Sequence, residues 1–240
     1  VVAILGLYAV YSRYFAVPTT ASSDDGKKSI AVLPFVDKSA DKDQEYFCDG
    51  LAEELLNMLA KIEGLRVIAR TSSFSFKGKD VDIAAVGEKL NVKTVLEGSV
   101  RKADHMVRIT AQLINVADES HLWSETYDRK LDDIFVVQED ISRQVVDVLK
   151  VTLLGEEDKE LAGRPTDNIE AYELYLQGRH LYQIDAMEPL EKAIGYFTQA
   201  IKLDSNFALA YAGLAHTYLN QHHYANLPRD EALSHEGAFN

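Results

Sequence analysis

Period-two alternation is the strongest pattern in the chain. From Thr94 onward, Leu96, Gly98 and Val100 fall on one side and Glu97, Ser99 and Arg101 on the other. A polar break at residues 102–105 follows. Then Val107, Ile109, Ala111 and Leu113 alternate with Arg108, Thr110 and Gln112. A second break at 117–120 leads to a third run, 121–127, which carries the only tryptophan. Such alternation with closely spaced turns predicts an antiparallel three-stranded meander, dry on one face and wet on the other. Upstream, residues 30–36 are a short apolar run that ends near Pro34, because proline donates no ladder hydrogen bond. Leu51, Leu55, Leu59 and Ile62 set a helical stripe over 45–62, stopped at Gly64. Residues 65–69 read as a second strand, and strand–helix–strand at this spacing predicts a parallel unit with a right-handed crossover.

The pattern continues with a loop over 70–80 that holds Phe74 and Phe76, then a short helix over 82–90 capped by Asp80 or Asp82. After the meander, Asp132 or Asp133 caps a helix striped by Ile134, Val137, Ile141, Val145, Val148 and Leu149, ending near residues 154–155. From Asn168 onward strand patterns vanish. Helices are predicted over 169–184, 189–203 and 207–220, with the start of a fourth over 229–239. The expected fold is therefore a mixed α/β unit, β-α-β-α-β-β-β-α, over 29–154. An acidic connector at 155–167 leads to an all-α helical hairpin array over 168–240.

The text AIGYFTQAIKLDSNFALAYAGLAHTYL resembles the tetratricopeptide repeat, a helix-turn-helix unit of about 34 residues. Ala193, Phe197 and Ala200 match the small-large-small positions of the second helix. Tyr211, Leu214 and Tyr218 match the large positions of the next first helix, and Ala215 stands where glycine or alanine is usual. Ser205 departs from the favoured proline, and Gly178 and Tyr182 fit the earlier helix only with a few inserted residues. The resemblance covers 168–240, with the second repeat cut off, and implies a surface for a protein or peptide partner.

The order IAVLPFVDKS, then YFCDGLAEELLNMLAKIEGLRVIARTSSFSFKGKD, then VLEGSVRKADHMVRITAQLINVADESHLWSETYDR, then LDDIFVVQEDI, resembles a bacterial domain similar to the amino-terminal domain of TolB. It is a domain placed between a membrane helix and tetratricopeptide repeats. The resemblance implies an upstream output domain: an adenylate or guanylate cyclase, a winged helix of the CadC type, or a kinase. It also implies that residues after about 18 are extracytoplasmic, at the inner membrane.

The amino-terminal residues bear on that expectation. Residues 1–11 are apolar, with Tyr8, Tyr11, Tyr14 and Phe15 toward the end, so 1–17 reads as the last part of a transmembrane segment, followed by a polar linker at 18–28. The alternatives are a signal-peptide core, poorly served by Ala16-Val17-Pro18 as a cleavage site, and a buried helix. The chain begins with Val and stops inside a repeat pattern, and is expected to be a fragment of a longer protein.

Composition narrows the function. A net charge of −13 over 240 residues, with no long basic run, argues against nucleic-acid binding by this region. The single cysteine, Cys48, permits no intrachain disulfide and reads as a buried small residue. Gly78-Lys79 lacks the rest of a phosphate loop. His216, His222, His223 and His235 match no zinc spacing. The adjacent acids Glu53-Glu54, Asp132-Asp133 and Glu139-Asp140 diverge on a helix and read as caps and solvated faces, and Asp128-Arg129 as a strand-to-helix corner. No catalytic, cofactor or metal residue is nominated. Trp123 and Tyr127 on one strand face, Phe74 and Phe76 in the loop, and Tyr211 and Tyr218 on the helices are the candidate partner surface; aromatics at period two otherwise pack. The expected function is a non-catalytic sensory or protein-interaction region of a membrane-anchored regulator. The alternatives are a fragment of a nucleotide cyclase whose catalytic part lies upstream, and an envelope transport accessory.

Overall fold

The computed structural model describes residues 28–79, 82–151, 164–184 and 186–225, with side chains to 222. The membrane segment predicted at 1–17, its linker, most of the 155–167 connector and the fourth helix predicted at 229–239 lie outside these. Among the described residues, no helix is long and apolar enough to cross a membrane.

A six-stranded mixed sheet forms the centre. Strand β1 (Lys28–Val32) pairs in parallel with β3 (Leu65–Val67) on one side and with β4 (Thr94–Ala103) on the other. The helix between β1 and β3, α1 (Glu45–Ala60), completes the predicted parallel unit. Strand β5 (Met106–Asn115) joins β4 and β6 (His121–Lys130) antiparallel to both, which is the predicted meander. The expected first strand is shorter than its apolar run. It stops before Pro34, leaves the ladder, and resumes as β2 (Val36–Asp37), again parallel to β4. Phe35 folds back over Gly98 of β4; a Cβ on Gly98 would lie 2.4 Å from the Phe35 ring and 2.2 Å from the Thr110 carbonyl, so only glycine fits.

The rest of the first unit covers this sheet. Leu96, Val100, Ile109, Ala111 and Leu113 are buried on the dry face, under α1 and α4 (Ile134–Leu149). A smaller cluster of Ala31, Leu33, Phe76, Val86, Val92 and Val95 lies on the opposite face, roofed by α3 (Ile83–Leu90). The Asp82 carboxylate caps α3, accepting from the Ala84 amide at 2.7 Å. The loop expected over 70–80 contains a one-turn helix, α2 (Arg70–Phe74). Tertiary contacts stabilise that turn, because Arg70 reaches Glu53 while its guanidinium lies 4.1 Å from the Phe74 ring centroid. Helix α4 ends at Leu149, earlier than the pattern suggests, with Lys150 in the left-handed region at φ 52°. A 3-10 turn at Leu131–Asp133 leads into it, and Asp133 makes no side-chain cap bond.

The carboxyl-terminal helices are α5 (Ile169–Tyr182), α6 (Met187–Leu203) and α7 (Ala208–Ala225). Asn168 caps α5, accepting from the Ala171 amide at 2.9 Å. Helices α5 and α6 form a hairpin and α7 packs against α6. Ala193, Phe197 and Ala200 are fully buried, as their small-large-small spacing predicts. The described part is thus one hairpin and a single following helix.

This helical part shares a core with the sheet. Helix α5 lies directly on α1, so closely that a Cβ on Gly50 would sit 2.6 Å from a Leu176 methyl. A chain of rings crosses the boundary: Phe135 of α4 meets Tyr172 edge-on at 4.7 Å, and Tyr175 contacts Phe197 at 6.0 Å and Phe207 at 5.0 Å. Buried Gln138 donates to the Tyr172 hydroxyl at 3.1 Å. Gly50→Val should overpack this contact and cost about 1–3 kcal/mol in urea unfolding. Combined with Leu176→Ala, the two losses should fall short of their sum, because the truncation makes the room that valine needs.

Candidate interaction site

The six aromatic candidates do not form one surface. Trp123 and Tyr127 lie on one face of β6, opposite Leu113 and Ile109 of β5, with a register irregularity just beyond at Leu113/Ile114. Tyr127 is buried and Trp123 half-buried against the main core. Phe74 also borders that core, whereas Phe76 is buried in the smaller cluster on the other face of the sheet. The apparent alternation of Phe74 and Phe76 is that of a helical turn and its exit, not of a strand. Tyr211 and Tyr218 remain, on α7, and they are 46% and 51% exposed. Leu219, 67% exposed, stands to one side of them, and Leu209 is exposed on the opposite flank of the helix. Leu214 faces inward and packs against the core.

The position of this exposed face depends on what fixes α5, α6 and α7 to the sheet. The acids Glu53 and Glu54 do not lie on a solvated face. The Glu53 side chain is 4% exposed and accepts from Arg70 Nε at 2.5 Å and Gln183 Nε2 at 3.0 Å, and it is ion-paired with Arg179. Glu54 accepts from Arg179 at 3.0 Å. One helical turn back, Asp49 pairs with Lys77 at 2.5 Å and lies 3.5 Å from His180 Nδ1. At the far end of the contact, Lys102 of β4 is ion-paired with Glu173, which also accepts from the Tyr46 hydroxyl at 3.4 Å. The polar side of α5 is therefore a buried interface.

Charge in this interface is shaped by burial first. Burial pushes the Glu54 carboxyl up to about 7, despite its contact with Arg179, whose guanidinium is shared with Glu53. Burial lowers Arg179 to about 10, which leaves it charged at neutral pH. Burial also opposes the Asp49 charge, but hydrogen bonds from His180 and Lys77 outweigh it and hold the carboxyl below its ordinary value. One Asp49 oxygen, Oδ1, is buried without a hydrogen bond. Cys48, beside Asp49, is buried, and desolvation raises its thiol far from reactivity at neutral pH. Asp128 makes no corner: it receives two hydrogen bonds from Arg108 across the strand pair, at 2.6 and 2.9 Å, in solvent. Among the described residues, no group of three or more His, Cys, Asp or Glu is arranged to hold a metal.

Two outcomes follow from the interface. Arg179→Met should leave Glu53 and Glu54 short of their cation and cost about 3–5 kcal/mol in urea unfolding at neutral pH. The ordinary value for Glu54 is 4.5, so between 4.5 and about 7 the folded protein retains a proton that the unfolded chain releases. Its contribution therefore weakens stability as pH rises through that window. Glu54→Gln should flatten this part of the stability–pH curve, and an unchanged slope would show Glu54 ionised throughout.

Residues 26–144, the sheet and its helices, match the family described as HilA/YgeH-like transcriptional regulator, second domain. Over 190 residues, 79% of this chain, the sequence is 43% identical to a protein of Rhizobium meliloti (strain 1021) named "Putative adenylate cyclase 3". Among solved structures, TolB from Acinetobacter baumannii aligns with a TM-score of 0.39 at 15% identity, over 51% of this chain and 28% of that one. Lipoprotein GNA1162 from Neisseria meningitidis aligns at 0.38 and 18% identity, over 50% and 96%. The chain spans 32% of the length of its Rhizobium relative, about a third.

Proposed function

We propose that this chain is a non-catalytic regulatory region of a longer signalling protein and acts through protein contacts. The observation that carries this is the 43% identity to one third of a protein named as a cyclase. In such a protein the catalytic part would lie in the remaining two thirds. The match of residues 26–144 to a transcriptional-regulator domain is consistent with one such region serving different outputs. The exposed pair Tyr211 and Tyr218 on one face of α7, with Leu219 beside it, supports contact with a protein or peptide, since aromatic side chains are what interface centres bury. On this reading the helical hairpin begins a tetratricopeptide array. The apolar residues 1–11 belong to a membrane anchor, which puts the sheet and helices on the extracytoplasmic side.

The test separates regulation from catalysis. The chain incubated with ATP and Mg²⁺ or Mn²⁺ should form no cyclic AMP above buffer. In the full-length Rhizobium protein, if cyclase activity is measured, deleting the matching region should change that rate or its regulation without abolishing it. Turnover by this chain alone, or a rate and response indifferent to the deletion, would overturn the proposal.

A further inference from the structure

The open face of the sheet carries a second feature, independent of the α7 face. A cleft of about 710 Å³ lies between two walls and is floored by β4 and β5. One wall is the stretch from the end of β1 to just past β2, with Leu33, Pro34 and Lys38. The other is the segment after α2 together with the start of α3, with Phe76, Lys79 and Ile83. The size suits a small molecule, because ligand clefts run from about 300 to 1,000 Å³.

The floor is polar for a defined reason. Glu97 pairs in register with Gln112, and Ser99 with Thr110, so the four side chains form a two-by-two patch on the wet face. All four are half-buried. Thr110 Oγ1 lies 3.1 Å from Thr126 Oγ1, and is satisfied within the sheet. Among the described residues, no hydrogen bond or ion pair engages the side chains of Glu97, Ser99 or Gln112. A carboxylate, a hydroxyl and an amide thus stand at the base of a cleft with nothing but solvent before them.

The rim has the opposite sign. Lys38 and Lys42 flank the first wall, exposed, and Lys79 stands at the second, donating to the Ser75 carbonyl at 2.6 Å. The remaining charges of the lining are already used. Lys77 is held by Asp49 and Glu45. Asp37 accepts from the amides of Ser39 and Gln44, each at 2.8 Å. Burial works against the Asp37 charge, but hydrogen bonds from Ser39 and Gln44, and the nearby Lys42 ammonium, hold its carboxyl below the ordinary value. What is left is one uncommitted carboxylate in the floor and lysines at the rim, with Leu33, Pro34, Phe76 and Ile83 as apolar wall between.

We infer that this cleft binds a zwitterionic ligand, a free amino acid. Its ammonium is held by Glu97, its carboxylate by the rim lysines, and its apolar side chain by the wall. Each feature excludes a simpler ligand. A plain anion leaves the half-buried floor carboxylate unmatched, a plain cation meets that carboxylate but is repelled by the rim lysines, and an apolar molecule leaves the polar floor unmatched.

Three probes of one shape decide it: L-leucine, 4-methylpentanoate, which lacks the ammonium, and 3-methylbutylamine, which lacks the carboxylate. Backbone amide spectra of the full 240-residue chain are recorded during titration with each. L-Leucine should shift resonances of residues 97–99 and 110–112 and bind at least about tenfold tighter than either truncated probe. Glu97→Gln should remove the advantage over 4-methylpentanoate. Lys38→Gln with Lys42→Gln should weaken the advantage over 3-methylbutylamine. These positions are half-buried or exposed, and the unliganded spectrum reports whether each variant stays folded. Equal response to all three probes, response away from the cleft, or none with leucine would overturn the inference. None of these results bears on the α7 face or on cyclase activity.

Discussion

The buried ion pair of Glu53 with Arg179 is the interaction on which the arrangement of this molecule depends. It connects α1, which covers the sheet, to α5, which begins the helical part. Burying charges is costly, and a pair recovers that cost only when the remaining hydrogen-bonding positions are filled. Here they are filled from three elements: Arg70 from α2, Gln183 from the end of α5, and Glu54 as a second acceptor for Arg179. Such a cluster gives direction more than stability. An apolar contact tolerates sliding, whereas a guanidinium shared by two carboxylates fixes the register of one helix on another. Gly50 makes the same demand sterically, since only there can α5 approach so closely.

That junction also explains the fate of the aromatic residues. The ring chain from Phe135 through Tyr172 and Tyr175 to Phe197 and Phe207 runs beside the ionic cluster, so the large apolar side chains of α5 are consumed internally. Tyr211 and Tyr218 lie one helix further on, where the described residues supply no covering element. Identical chemistry thus packs in α5 and is presented in α7. The difference comes from position in the stack rather than from residue type.

Legibility from sequence followed the range of the interactions. The meander, the parallel unit and the helices were readable because period two and period 3.6 are local consequences of which face is dry. Cys48 was readable for the same reason, and the cap of α3 was narrowed to Asp80 or Asp82, of which Asp82 makes the bond. The β1–β2 excursion was half legible: Pro34 announces the break, but the return to β4 depends on Gly98 admitting Phe35. The junction was not legible. Glu53 and Glu54 look like a solvated face because adjacent acids usually are, and Arg179 lies 125 residues from Glu54. Helix α5 meets α1 through Arg179 and His180 as well as Leu176, so no continuous apolar stripe marks that side as buried. Phe74 and Phe76 misled in the opposite direction: their spacing mimics a strand, while Arg70, held by Glu53, stabilises a helical turn. The misreadings of Glu53, Glu54 and Phe74 trace to the same buried cluster.

The cleft on the wet face follows from the same economy. A sheet covered on its dry face by α1 and α4 has, among the described residues, one short helix, α3, on its other side. Beyond α3 the rows across β4, β5 and β6 must be polar. Where they are open they satisfy one another, as Arg108 does with Asp128 and Thr110 with Thr126. Glu97, Ser99 and Gln112 do not, and they lie where two loops rise on either side and limit solvent. Unmatched polar groups cost little on an open surface and more in a recess, because fewer waters reach them. A recess that keeps a carboxylate in its floor and lysines at its rim gains most when the occupant carries both charges.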